Sequence, residues 1–158
     1  VTDYPLLNQQ LVSLLEDEPD TTANLANAAA LLFCELPELN WAGFYFVGPT
    51  RSGSGEELVL GPFQGRPACL RLPRGRGVCG TAWHLNQSVV VADVHAFAGH
   101  IACDSASESE IVVPLRDPSG RVIGVLDLDS PRRDRFTEAD RAGLEAFCLT
   151  LQSRLWNL

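Results

Sequence analysis

EIVVPLRDPSGRVIGVLDLD, residues Glu110–Asp129, reads as two strands joined at Pro118-Ser119-Gly120, a residue combination that suits a hairpin turn. Side chains alternate across a strand, so in DLD Asp127 and Asp129 leave one face while Leu126 and Leu128 leave the other. Glu110 on the adjoining strand could bring a third carboxyl to the same surface. Like charges held close and partly desolvated raise at least one pKa, which makes a proton donor near neutral pH. Taken alone, a solvent-facing strand with ordinary acids is the default reading of such a pattern.

Working outward from the hairpin, Thr137 and Asp140 resemble a capped helix start with Glu138 in the first turn, and the pattern LEAFCLTLQSRLW continues that helix. At the other end, Leu6, Leu7, Leu11, Leu14 and Leu15 place one apolar stripe on a helix over Pro5–Glu16. Asp20 or Thr21 can cap a second helix carrying Leu25, Ala29, Leu32 and Phe33, which Pro37 ends. WAGFYFV, LVLGPF, ACLRL and SVVVADV read as strands. VCGTAWHLN is a short helix between the last two. HAFAGHIACDSASESE, between Val94 and the hairpin, is polar and irregular, and long loops without structure of their own are usually functional.

The 158 residues fit one domain, and 46% apolar content is enough for a core without staples. No apolar run approaches the roughly 20 residues of a membrane span. The net charge is -8, so a nucleic-acid backbone is an unfavourable partner. VTDYPLLNQQ lacks the basic start and apolar run of a signal peptide, and the five cysteines form no evident disulfide framework, so a cytoplasmic location is expected. All twelve basic residues are arginines, and Arg66, Arg71, Arg74 and Arg76 crowd one short stretch. That cluster could hold a carboxylate or favour thiolates; a solvated loop explains it equally well.

The cysteines divide into two groups. Cys34 and Cys148 sit in helix-like apolar runs, where a thiol acts as a small hydrophobe, whereas Cys69, Cys79 and Cys103 lie in polar, glycine-rich segments near Arg and His. Three such cysteines, a set of acids and an Arg-rich glycine loop point to thiol redox chemistry on a small charged substrate. The segments LVLGPFQGRPACLRLPRGRGVCGTAW and VADVHAFAGHIACDSASESEIVVPL, with NWAGFYF before and GVLDLDSP after, resemble the free methionine-(R)-sulfoxide reductases, a family built on the GAF fold. The match runs from about residue 40 to 131 and holds at every motif position.

This resemblance implies a GAF-like α/β (α+β) fold, a central antiparallel sheet of about five to six strands flanked by helices, in a single domain over residues 1–158. It implies that Cys103 is the nucleophile, that Cys69 resolves the sulfenic acid as a disulfide, and that Cys79 is an auxiliary thiol. It further implies substrate binding by Glu110, Asp127, Asp129, Trp41 and Tyr45, recycling by thioredoxin or another dithiol with no bound cofactor, and preference for the R sulfoxide. GAF domains often pair through terminal helices, so a homodimer is expected.

Chemistry agrees with this assignment, because a sulfoxide sulfur is a poor electrophile until its oxygen accepts a proton. Glu110 and Asp129 suit the oxygen end and Asp127 the substrate ammonium. The amides opening the Val78 helix or a nearby arginine suit the carboxylate, and Trp41 and Tyr45 the S-methyl group. Quieter readings stand beside these: Cys69 and Cys79 could be packing thiols, Trp41 and Tyr45 core aromatics, and His95 and His100 loop histidines that satisfy backbone groups or meet solvent. Two other functions compete, a non-catalytic GAF domain sensing a small ligand or redox state, and a zinc site from Cys69, Cys79, Cys103 and His100. The ten- and twenty-four-residue cysteine spacings lack the paired knuckles of structural zinc.

Overall fold

In the computed structural model, which describes residues 1–155, the hairpin forms and runs from the centre of a single sheet towards one side. In chain order the elements are α1 (Tyr4–Leu15), α2 (Thr21–Glu35), β1 (Trp41–Pro49), β2 (Glu56–Gly65), β3 (Arg71–Leu72), α3 (Gly77–Leu85), β4 (Val89–Val91), β5 (Ser109–Arg116), β6 (Val122–Ser130) and α4 (Glu138–Gln152). The six strands lie in the order β3-β2-β1-β6-β5-β4, with every neighbouring pair antiparallel. The antiparallel sheet of about five to six strands expected from the sequence is observed with six, and β1 and β6 lie at its centre. At the β5–β6 turn Gly120 takes a φ of +87°, which a side-chain-bearing residue adopts only with strain.

Strand alternation divides the interior in two. Ala42, Phe44, Ile111, Val113, Leu126 and Leu128 face a core closed by α1, α2 and α4. Trp41, Tyr45, Val112 and Val125 face a second core with Cys79, Ala82 and Trp83 of α3. The helices on the first face start where capping chemistry places them: the Asp3 side chain accepts from Leu6 N, Asp20 from Ala23 N, and Thr137 and Asp140 form a reciprocal capping box. Only Leu7, Leu11 and Leu15 of the expected α1 stripe are buried. Leu6 and Leu14 are exposed, because the contact with the neighbouring helices is narrower than the run of leucines.

Other differences have local causes. The strand expected over ACLRL shrinks to Arg71–Leu72, since the Cys69 carbonyl accepts from the Tyr45 hydroxyl (2.9 Å) and leaves the strand pattern. β2 runs past the expected LVLGPF but carries a bulge opposite Gly43–Tyr45, where Pro62 has no N–H to donate. β4 stops at Val91, and Asp93 caps a short 3-10 helix, Val94–Ala96, at the start of the irregular segment. Cys34, expected to pack as a hydrophobe, is exposed on α2, out of phase with the buried Leu25, Ala28, Ala29 and Leu32; Cys148 is buried as expected. The final helix is capped at Ser153; Trp156, at the end of the expected helix, lies outside the described residues. Among the described residues no helix is long and apolar enough to cross a membrane.

Candidate active site

The acids meet on the sheet face covered by α3. Glu110 of β5 pairs with Asp129 of β6, and Asp127 pairs with Val112 on one side and Gly43 on the other, so register alone brings the three carboxyls to one patch. They are not a solvated strand face: Glu110 and Asp127 are each 6% exposed. Burial, and then the charge of Asp129, pushes the Glu110 carboxyl up to about 8. Asp127 is raised well above its ordinary range by burial and the neighbouring Glu110, and Asp129 by burial and Asp127. Asp127 Oδ1 is buried without a hydrogen-bond partner.

Above this patch a pocket of about 500 Å³, counting its open mouth, reaches from Trp41 and Tyr45 to Cys103. The start of α3 forms one wall through Arg76, Gly77, Val78 and Cys79. Of the four clustered arginines only Arg76 lines the pocket. Arg71 pairs with Glu57 (2.7 Å), Arg74 lies over the Trp83 ring, and the Arg66 carbonyl accepts from Trp41 Nε1. Cys79 lies in the short helix read from VCGTAWHLN and is buried in its first turn, as the packing alternative held. Burial and the charge of Asp127 and Glu110 suppress its thiolate. Its sulfur and single oxygens of Glu110 and Asp127 lie within 4.8 Å of one another.

Cys69 and Cys103 form a disulfide with their Cα atoms 5.5 Å apart, so the two segments singled out in the sequence meet at the pocket mouth. In this oxidised state neither sulfur is a thiolate, and the zinc set of three thiolates and His100 is not assembled. Trp41 and Tyr45 stack at 5.9 Å, belong to the second core and also line the pocket, while their polar ends bind backbone: Trp41 Nε1 donates to Arg66 O at 3.1 Å and Tyr45 Oη to Cys69 O at 2.9 Å. Two aromatic side chains therefore position the loop that carries Cys69.

Two groups at the site stand outside the residues to which the sequence assigned substrate or catalysis: His100, weighed there as a loop histidine, and Asn40. His100 lines the pocket with its Nε2 3.7 Å from Glu110 Oε1, and burial lowers its pKa, which favours a neutral imidazole. Asn40 Nδ2 donates to Asp104 Oδ2 and Ser107 Oγ, both at 3.0 Å, pinning the Cys103 loop to the start of β1. His95, by contrast, stands outside the pocket against Asp93 (3.1 Å). GHIACD carried the only sequence signal for His100; nothing in local pattern could pair Asn40 with a loop more than sixty residues away.

The model of the GAF domain matches residues 20–155. The chain is 49% identical to the free methionine-R-sulfoxide reductase of Escherichia coli over 96% of this chain and 88% of that protein. Its fold is similar to a putative GAF sensor protein from Burkholderia vietnamiensis, with a TM-score of 0.90, 55% identity, and 98% and 94% of the two chains covered. It is also similar to the free methionine-R-sulfoxide reductase from Neisseria meningitidis in complex with its substrate, with a TM-score of 0.88, 50% identity, and coverage of 96% and 87%.

Proposed function

This chain belongs to the GAF domain family and, within it, to the free methionine-R-sulfoxide reductases, and on that footing we propose that it reduces free L-methionine (R)-S-oxide to L-methionine at the Cys103 pocket. The observation that carries the reading is the Cys69–Cys103 disulfide beside a pocket lined by Glu110, Asp127 and Asp129, two of them buried. All of residues 1–158 are read as the one domain that builds this site.

In the reduced enzyme the Cys103 thiolate attacks the sulfoxide sulfur while Glu110, beside Asp129, delivers a proton to the departing oxygen. The sulfur–sulfur bond of this adduct then breaks as its hydroxyl moves to Cys103, leaving a sulfenic acid on the enzyme and methionine as the sulfide. The Cys69 thiol then attacks the sulfenic sulfur, the S–S bond forms and water departs. A dithiol of the thioredoxin type returns two electrons and two protons, restoring both thiols. The work requires a reducing compartment such as the cytoplasm, and no bound cofactor. Cys79 has at most an auxiliary part in exchange, since its setting disfavours the thiolate that exchange requires.

Recognition of a free amino acid follows from charge. The unpartnered Asp127 Oδ1 takes the ammonium, Arg76 and the amides at the start of α3 take the carboxylate, and the stacked Trp41 and Tyr45 rings wall the S-methyl group. The test is a dithiol-coupled assay on both diastereomers of free methionine sulfoxide and on a sulfoxide-containing peptide. Cys103→Ser is expected to abolish turnover, and Cys69→Ser to retain a single turnover but lose recycling by thioredoxin. Peptide reduced as fast as the free amino acid would refute the proposed recognition of both charged termini.

A further inference from the structure

The floor of the pocket offers more than a proton and a seat for an ammonium. Cys79 Sγ and one oxygen each from Glu110 and Asp127 lie within 4.8 Å of one another, all three side chains are buried, and Asp127 Oδ1 has no partner. Zinc takes thiolate at about 2.3 Å and carboxylate at about 2.0–2.2 Å, so the two ligand atoms of such a pair lie at most about 4.5 Å apart. Small side-chain rotations would close this set around one ion. His100 Nε2, 3.7 Å from Glu110 Oε1, stands beside the group as a fourth donor. Among the described residues no arginine forms a salt bridge with these two carboxyl groups, and Asp127 Oδ1 has no partner, so an incoming cation meets no resident guanidinium.

We propose that this cluster is a site for a thiophilic divalent cation, Zn²⁺ or Cd²⁺, held by Cys79, Glu110 and Asp127, and that the bound ion excludes the ammonium of the amino-acid substrate. The inhibitory part rests on the function proposed above; the metal set stands on geometry alone. It differs from a zinc knuckle of the polar-loop cysteines in using neither sulfur of the disulfide, so it is available in the oxidised protein. Binding displaces to solvent the protons held by the Cys79 thiol and by the Glu110 and Asp127 carboxyls, and forms one sulfur–metal and two oxygen–metal bonds with no change of oxidation state. A soft thiolate beside two carboxylates selects such ions over Mg²⁺ and Ca²⁺, which prefer all-oxygen sites.

The experiment titrates disulfide-intact protein with CdCl₂, without thiol reductant, in a Cys34→Ser background that removes the exposed thiol. The readout is the ultraviolet sulfur-to-cadmium charge-transfer band, independent of enzyme turnover. The expected result is a band saturating at one equivalent, absent in Cys79→Ser, with affinity at least tenfold weaker in Asp127→Asn and in Glu110→Gln. A band that survives Cys79→Ser, no band in the parent, or unchanged affinity in both carboxamide variants overturns the site; circular dichroism confirms that each variant is folded. Added methionine, the proposed product, is expected to displace Cd²⁺. A band present but indifferent to methionine overturns the inhibitory claim and the ammonium seat while the metal set stands, whereas methionine binding with no band overturns the metal set alone.

Discussion

Glu110 gains its chemical character from neighbours that no local pattern reveals. An exposed glutamate is ionised at pH 7 and donates nothing; this one, buried and set against Asp129, is held near 8 and keeps its proton. A required acid with a raised pKa is active below that value and fails above it, so reduction of methionine sulfoxide is expected to decline as pH rises through about 8. Glu110→Gln is expected to lower turnover by about 10²–10⁴-fold and to remove that alkaline limb, as a pH-rate profile of both proteins would read. A limb unchanged in the variant would move the proton donor to Asp127 or Asp129. At this scale the acids were legible in the sequence, because DLD alternation and the hairpin turn place them on one surface. Their burial was not, since the α3 turn covering them lies more than thirty residues away along the chain.

Among the elements, α3 is the one whose position the site depends on most. Gly80 lets it approach the preceding loop: a Cβ there would lie 2.3 Å from Pro73 O, a backbone atom that cannot swing away, while Gly75 N donates to Gly80 O at 2.9 Å. Alanine would gain about 1 kcal/mol of helix propensity, but overpacking costs about 1–3 kcal/mol, so the clash wins. Gly80→Ala is expected to lower stability in urea and to raise KM for the sulfoxide, because the amides of Gly77 and Val78 move with the helix. A rise in stability with unchanged KM would show that the loop yields freely. The helix was readable from VCGTAWHLN, but the sequence left packing and exchange equally open for Cys79, because an unpartnered segment does not show which face is covered. The strand expected over ACLRL failed for a similar reason: the Tyr45 hydroxyl takes the Cys69 carbonyl, a contact across the sheet that outweighs local alternation.

Across the whole molecule, one sheet separates a structural face from a chemical one. The α1, α2 and α4 layer holds a continuous apolar core, and the opposite face trades part of its core for buried acids and a redox pair. The disulfide also staples the fold: closing a span of 34 residues limits the unfolded chain by up to about 4 kcal/mol. Oxidised protein is therefore expected to unfold at higher urea than protein reduced with dithiothreitol, and Cys103→Ser to match the reduced form. Equal midpoints for all three would mean that the Asn40, Asp104 and Ser107 contacts already order the loop without the bond. Periodicity, capping residues and turn chemistry are local, and the sequence alone therefore determined the element order, the hairpin and the face shared by Asp127 and Asp129. The resemblance of its cysteine segments named the family. Burial, the meeting of Cys69 with Cys103, the approach of His100 to Glu110 and the covering of Cys79 join segments distant in the chain. Only tertiary packing decided them, because desolvation and charge proximity belong to the assembled space between elements and to no single stretch of sequence.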